Sequence, residues 1–388
     1  MARQISRRTL LRGAGVGAFA LGSAAVLPLF GTPDRRQDPA TCTTADLSES
    51  DRRLIVSNWP EYIDPPEDGY VSTLQDFEAE TGITVRYTAD VNDNNEFFAK
   101  VINQLGACQP VDRDMFVLTD WAAARCIQMG WVQPIAAANV PNLHANLIDS
   151  LSGLAWDPER EFSAPWQAGL TGIAYNKKLV DKPVGSFSEL VTRPDLKGRI
   201  TLLTEMRDTM GFFLLMDGAD PADFTDAQWQ SAIERLREVK SARQVRAFTG
   251  NEYVQDLAAG NIAACEAWSG DVLAAGDPNI EFVVPEEGLM IWADNMLVPN
   301  KAEHLANAEK WIDFYFRPDV AAKLAAWVNY ICPVQGAQEE MEKIDPDLAS
   351  DPLIFPDDET LALTNSFMAL EEFQMREYEG DFADVTGG

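Results

Sequence analysis

From Leu54 onward the apolar residues switch repeatedly between two periods, and that alternation limits the possible folds more than any other feature of the chain. Leu54-Ile55-Val56 is a short run of strand type. Val71, Leu74 and Phe77 follow at helical spacing and stop at Gly82, after which Ile83, Val85 and Tyr87 alternate as a second strand. Phe97, Phe98, Val101, Ile102 and Leu105 mark a helix before Gly106, and Met115-Phe116-Val117-Leu118 marks a buried strand. Such a βαβ succession predicts helices on both faces of a mainly parallel sheet. Farther on, Thr225 and Gln228 make a capping box ahead of Trp229, Ile233, Leu236 and Val239. A further helical pattern runs through Ala308, Trp311, Ile312 and Tyr315 to Pro318. No internal repeat interrupts the pattern, which sets solenoids aside. At 388 residues, 46% of them apolar, the chain has material for two such α/β bodies.

Charge narrows the partners. A formal net charge of −30 repels phosphate backbones and anionic lipid, so nucleic acid and membrane surfaces are poor candidate partners and cationic ligands are favoured. Most of the 61 carboxylates read as a solvated surface, so only a few need be functional. With His144 and His304 the only imidazoles, neither a His-based metal site nor a catalytic triad is expected, and no cofactor is called for. Cys42, Cys108, Cys126, Cys265 and Cys332 form no C-x-x-C pair. Cys108 with Cys126 is the candidate disulfide, and buried free thiols are the alternative. No Walker or G-x-G-x-x-G phosphate loop is present.

Ser6-Arg7-Arg8-Thr9-Leu10-Leu11 precedes an uncharged stretch over 13–33 rich in Gly and Ala, the pattern of a twin-arginine export signal. Pro28, Pro33 and the many small residues make that stretch a weak spanning helix, so cleavage is expected, with a periplasmic or extracellular, cell-surface-associated product. Pro39-Ala40-Thr41 is a poor lipobox for Cys42.

Several segments combine an aromatic residue or a second acid with a carboxylate in expected loops at strand ends: Trp59-Pro60-Glu61-Tyr62, Asp120-Trp121, Glu205-Met206-Arg207-Asp208, Trp268-Ser269-Gly270-Asp271 and Trp292-Ala293-Asp294. Open α/β sheets bind ligands at the carboxyl ends of their strands. Aromatic faces cover methylenes and attract ammonium by about 0.5–2 kcal/mol, and a carboxylate adds a charge-assisted hydrogen bond of about 1.5–3 kcal/mol. That chemistry suits a flexible cation with alternating ammonium and methylene groups. Asp120 and Asp271 are expected to face solvent.

The segments Ser57-Asn58-Trp59-Pro60-Glu61-Tyr62, Glu80-Thr81-Gly82-Ile83, Gly172-Ile173-Ala174-Tyr175-Asn176, Ala267-Trp268-Ser269-Gly270, Pro285-Glu286-Glu287-Gly288 through Trp292-Ala293-Asp294, and Arg317-Pro318-Asp319-Val320-Ala321 resemble the periplasmic spermidine/putrescine-binding proteins in order and spacing. The resemblance implies a class II periplasmic-binding fold, two α/β lobes joined by crossing strands that close on ligand like a hinged trap. It also implies a monomeric partner of an ABC permease. Its implied division is 1–41 signal and linker, 42–160 lobe 1, 161–292 lobe 2, 293–335 return to lobe 1, and 336–388 a C-terminal helical segment packing on lobe 2.

By that resemblance Trp59 and Tyr62 form an aromatic wall in the first lobe, with Glu61 an ammonium ligand. Thr119 and Trp121 offer a hydroxyl and an aromatic face. Glu205 and Asp208 match a pair of acids three residues apart. Trp268, Trp292 and Asp294 match the opposite wall and the principal amine-binding carboxylate, and Tyr330 a further aromatic. Phe367 stands where some members place a ligand-contacting Gln, which bears on the choice of polyamine. Two rival readings remain. Another small solute would use the same fold, although Tyr62, Tyr253 and Tyr330 are too scattered for an iron site. An exported hydrolase would use Glu205 and Asp208 as general acid and base.

Overall fold

The computed structural model describes residues 36–387, so the export signal lies outside the described residues. Its strands in chain order are β1 (Arg53–Asn58), β2 (Thr84–Ala89), β3 (Met115–Thr119), β4 (Ser163–Asn176), β5 (Ile200–Leu203), β6 (Val245–Thr249), β7 (Ala264–Trp268), β8 (Ile280–Val283), β9 (Leu289–Leu297) and β10 (Thr364–Asn365). They join one sheet in the order β2-β1-β3-β9-β4-β7-β5-β6, with β8 on β4 and β10 on β9. The first three and the set β5, β6, β7 are each parallel. Between them β4 and β9 run antiparallel to each other and to the strands that flank them. The parallel expectation is therefore corrected at the centre, where two long strands cross between the parallel sets. All 14 residues of β4 are buried, as a strand covered on both faces must be.

Local chemistry sets the helix ends. Ser72 and Gln75 make a reciprocal capping box for the helix Thr73–Thr81, which stops at Gly82 with φ 67°. Val71 precedes that helix and is exposed, so it is not part of the apolar stripe. Thr225 and Gln228 cap Asp226–Ser241, whose buried face carries Trp229, Ile233, Leu236 and Val239. Pro318 opens a new helix, Pro318–Val328, after Leu305–Tyr315 has ended.

Two main cores result. One gathers the side chains beneath β1, β3 and Leu305–Tyr315, with Trp166 stacked on Trp311 at 6.0 Å, and continues through Tyr253, Leu257 and Cys265. The other packs Phe187 on Phe212 at 4.8 Å and Trp229 on Tyr378 at 4.2 Å, the latter holding the helix Glu372–Thr386 against Asp226–Ser241. Ala337, Met341, Ala349 and Ile354 belong to the first core, so only the later part of 336–388 lies on the second.

Cys42 bonds to Cys108, 66 residues away, and not Cys108 to Cys126. Cys126 is a buried free thiol whose desolvation pushes its pKa up to about 12. The arm before β1 is also held by Gln37, whose amide donates to Met129 O at 2.7 Å and whose Nε2 donates to Gly106 O at 2.6 Å. Gln37 O lies so close to Gly130 that a Cβ there would sit 2.1 Å from it. A native disulfide typically contributes about 2–4 kcal/mol by constraining the unfolded chain. Cys42→Ser is accordingly expected to lower the thermal midpoint, and unreduced peptide mapping should recover the 42–108 crosslink; an acylated Cys42 would contradict this pairing.

Candidate functional site

The cavity of interest, about 490 Å³, lies where the crossing strands meet the carboxyl ends of β1, β3, β5 and β7. Each strand end delivers its residue directly. Trp59 follows β1, Asp120 and Trp121 open the helix Asp120–Gln128 after β3, Glu205 precedes the helix Met206–Met216 after β5, and Trp268 ends β7. Trp292 and Asp294 are not in a loop as expected. They sit within β9, where a two-residue period puts them on one face with Met290.

Aromatic rings meet around this cavity, edge to face except for the tilted pair Trp292 and Tyr330. Trp59 lies 6.3 Å from Trp268, Trp268 6.2 Å from Trp292, Trp292 5.6 Å from Tyr330, and Tyr330 5.2 Å from Tyr62. Trp292 is fixed by donating its Nε1 hydrogen to Thr171 Oγ1 at 2.9 Å and by closing on Gly169, where a Cβ would fall 2.4 Å from the indole.

Carboxyls fill the gaps between the rings. Asp294 accepts from Tyr62 Oη at 2.9 Å and Thr119 Oγ1 at 2.8 Å. Burial raises its pKa to about 7 against those two bonds, with Asp120 and Asp208 adding repulsion. Asp208 accepts from Thr171 Oγ1 and Trp268 Nε1, both at 3.0 Å, and burial raises it to about 6. Glu205 accepts from the Asn94 backbone amide at 3.2 Å and its Nδ2 at 2.9 Å, a contact from one parallel set to the other. Burial, then the charges of Asp93 and Asp208, push Glu205 up to about 8.

Asp120 and Asp271, expected in solvent, are engaged inside. Asp271 accepts from Tyr330 Oη at 2.7 Å, Tyr253 Oη at 2.9 Å and Asn251 Nδ2 at 2.9 Å. Asp120 accepts from the Ala293 amide at 3.1 Å and Asn295 Nδ2 at 2.7 Å. Burial raises both carboxyls. Their partners lie between 18 and 175 positions away, so no local pattern announces them.

Glu61 is the candidate left outside. Its φ of 55° turns the backbone left-handed, leaving it exposed beside Trp59 and Tyr62, which line the cavity. Arg207 is one of the lining residues outside the expected set, although it stands between Glu205 and Asp208 in the chain. Its guanidinium lies 3.9 Å over the Trp121 ring and its Nη1 is 3.7 Å from Glu379. Arg207 therefore covers one face of Trp121, which still lines the cavity. Phe367 lines the cavity too, with Met368 and Leu370. Among the described residues no group of three or more His, Cys, Asp and Glu side chains is arranged to hold a metal ion. Aromatic faces surrounding carboxyls that titrate near neutrality can exchange protons for a bound organic cation.

Residues 72–356 match the family model described as bacterial extracellular solute-binding protein. The chain is 27% identical over 324 residues to the spermidine/putrescine-binding periplasmic protein of Salmonella typhimurium, covering 82% of this chain and 87% of that protein. It is 28% identical over 306 residues to the putrescine-binding periplasmic protein PotF of Escherichia coli, covering 73% and 78%. The solved structure of PotD, a spermidine/putrescine ABC transporter substrate-binding protein from Streptococcus pneumoniae, superposes with a TM-score of 0.69 at 23% identity, covering 87% of this chain and 99% of that one. The Tp0655 lipoprotein of Treponema pallidum gives 0.72 at 19% identity, covering 87% and 100%. Both structures speak for the fold: two α/β lobes with a cleft at crossing strands.

Proposed function

The chain belongs to the bacterial extracellular solute-binding proteins, and from that premise we propose that it captures a polyamine, spermidine or putrescine, and delivers it to an ABC permease as a monomer. Export by the twin-arginine route and a periplasmic or cell-surface location fit the same reading. The observation that carries it is Asp294, a buried carboxyl with a pKa raised to about 7, set among Trp59, Tyr62, Trp268, Trp292 and Tyr330. An ammonium there meets aromatic faces and a charge partner in a desolvated site, where both interactions are stronger than in water. Trp59, Tyr62, Thr119, Trp121, Glu205, Asp208, Trp268, Trp292, Asp294 and Tyr330 are the proposed ligand-binding set; Glu61 leaves it. The relatives named for spermidine and putrescine support this choice.

Binding without turnover is favoured over hydrolysis. Glu205 and Asp208 already accept hydrogen bonds from Asn94, Thr171 and Trp268, an arrangement that holds them as fixed acceptors and not as a pair poised about a water. Calorimetric titration of spermidine, putrescine, a neutral sugar and an amino acid tests the proposal. Micromolar or tighter binding of a polyamine alone is expected. Absence of polyamine binding, or equal binding of the sugar, would reject it.

A further inference from the structure

Asn94 opens the helix Asn94–Gly106 and is fully buried, yet its side chain does not cap that helix. Asp93 does, accepting from the Glu96 amide at 3.0 Å. The polar atoms of Asn94 are spent instead on residues of the cavity. Its Oδ1 accepts from the Thr119 amide at 3.2 Å, and because a backbone N–H can only donate, this bond fixes which way the side-chain amide faces. The two Nδ2 hydrogens then go to Glu205 Oε1 and Thr119 Oγ1, each at 2.9 Å. A threonine hydroxyl carries one hydrogen. With Asn94 donating to it, Thr119 Oγ1 is left to give that hydrogen to Asp294 Oδ1 at 2.8 Å, while Tyr62 Oη donates to Oδ2 at 2.9 Å.

Each Asp294 oxygen therefore accepts one hydrogen from the protein and keeps a second lone pair for an ammonium. The carboxyl plane is set before a ligand arrives, which spares the cost of ordering it on binding. The Thr119 bond also favours the ionised form. Burial raises Asp294, Asp120 and Asp208 add repulsion, and the bonds from Thr119 and Tyr62 act against them; Tyr330, the remaining titratable neighbour, lies against Tyr62 at 5.2 Å. We propose that Asn94 is a positioning residue for amine capture, aiming the Thr119 hydroxyl at Asp294 without touching the ligand itself. The inference rests on the polyamine reading and adds to that site a residue outside the cavity lining. The junction in which Asn94 sits has a tie of its own, because Thr204 Oγ1 donates to Asp93 Oδ2 at 3.0 Å, so holding the two parallel sets together does not fall to Asn94 alone.

Calorimetric titration of spermidine into the mature protein, its Asn94→Ala and Thr119→Val variants and the double variant is the test. Thr119→Val keeps the shape of the side chain and removes a hydrogen bond to a charged group, and is expected to weaken binding about tenfold to a hundredfold. Asn94→Ala leaves the hydroxyl in place without its guide, and about tenfold is expected. In the Thr119→Val background the Asn94→Ala change should cost less than about threefold more, because the group through which Asn94 acts is already gone. The pH profile supplies a second reading that a purely structural role would not move. With the Thr119 bond loosened the Asp294 carboxyl holds its proton to higher pH, so the midpoint of the rise in affinity should move upward in Asn94→Ala and no farther in the double variant. Wild-type affinity in Asn94→Ala, losses that multiply in the double variant, or a ligand-free Asn94→Ala protein without a cooperative melting transition would overturn the inference and leave the polyamine function standing. A wild-type protein that binds no amine would remove both.

Discussion

Asp294→Asn is expected to weaken polyamine binding about a hundredfold, and at least tenfold, while moving the thermal midpoint of the ligand-free protein by only a few degrees. The two effects separate because they draw on different states. In the empty site the carboxyl is buried, raised to about 7 and partly neutral already, so a neutral amide of the same shape relieves repulsion from Asp120 and Asp208. What is lost there is one of the two bonds from Tyr62 and Thr119, since an amide has a single acceptor oxygen; this costs about 1 kcal/mol. In the complex the ammonium loses its desolvated charge partner, which costs about 3–5 kcal/mol, and each 1.4 kcal/mol is tenfold in affinity. Titration calorimetry with spermidine and a melting curve on the same preparation decide it. Unchanged affinity would remove Asp294 from the site, and collapse of the melting transition would make it a structural residue.

The second large effect is an inverted pH dependence. Asp208, Asp294 and Glu205 are raised by burial to about 6, 7 and 8, and Glu266, outside the cavity, is raised to about 8 by the same cause. In the unfolded chain these carboxyls titrate near 4, so between about pH 4 and 8 the folded protein binds more protons than the unfolded one. Stability is then fully present below the unfolded pKa and is lost as pH rises through the folded values. The ligand-free protein should therefore melt at a lower temperature at pH 8 than at pH 5. A polyamine remains cationic throughout, its amines titrating near the Lys value of about 10.4. It prefers the ionised site, so affinity should rise from pH 5 to 8 and binding at pH 5.5 should release protons. Melting curves across this range, with and without spermidine, and calorimetry in two buffers of different ionisation enthalpy measure both signs. A flat melting profile together with zero proton release would contradict the raised carboxyls.

The alternation of periods was enough to read the parallel sets, because strands and helices advertise themselves within a few residues. Two features were not readable for the same reason in reverse. β4 and β9 are antiparallel partners more than a hundred residues apart, and the short acidic-aromatic run in β9 looks like a loop until its partner is known. Cys108 likewise pairs with Cys42 across 66 positions, passing over Cys126, which is nearer to it in the chain. In the site, strand-end position brought Trp59, Trp121, Glu205, Asp208 and Trp268 within reach of sequence reasoning. Glu61, assigned by resemblance, sits at a left-handed turn that its neighbours in the chain do not announce. Arg207 has no such local signal, because its burial depends on Trp121 and Glu379, which are distant in the chain.

The position of Trp292 and Asp294 on β9 has a mechanical consequence. β9 is one of the two strands about which the lobes would turn, so a ligand held there presses on the axle and gains almost no leverage over the jaws. Torque must come from groups at the end of a longer arm, and the Asn94 to Glu205 contact is one, because it joins the tips of the two parallel sets. Substitutions on the axle should therefore alter how tightly a solute is held, and substitutions at the tips how long the jaws stay shut around it.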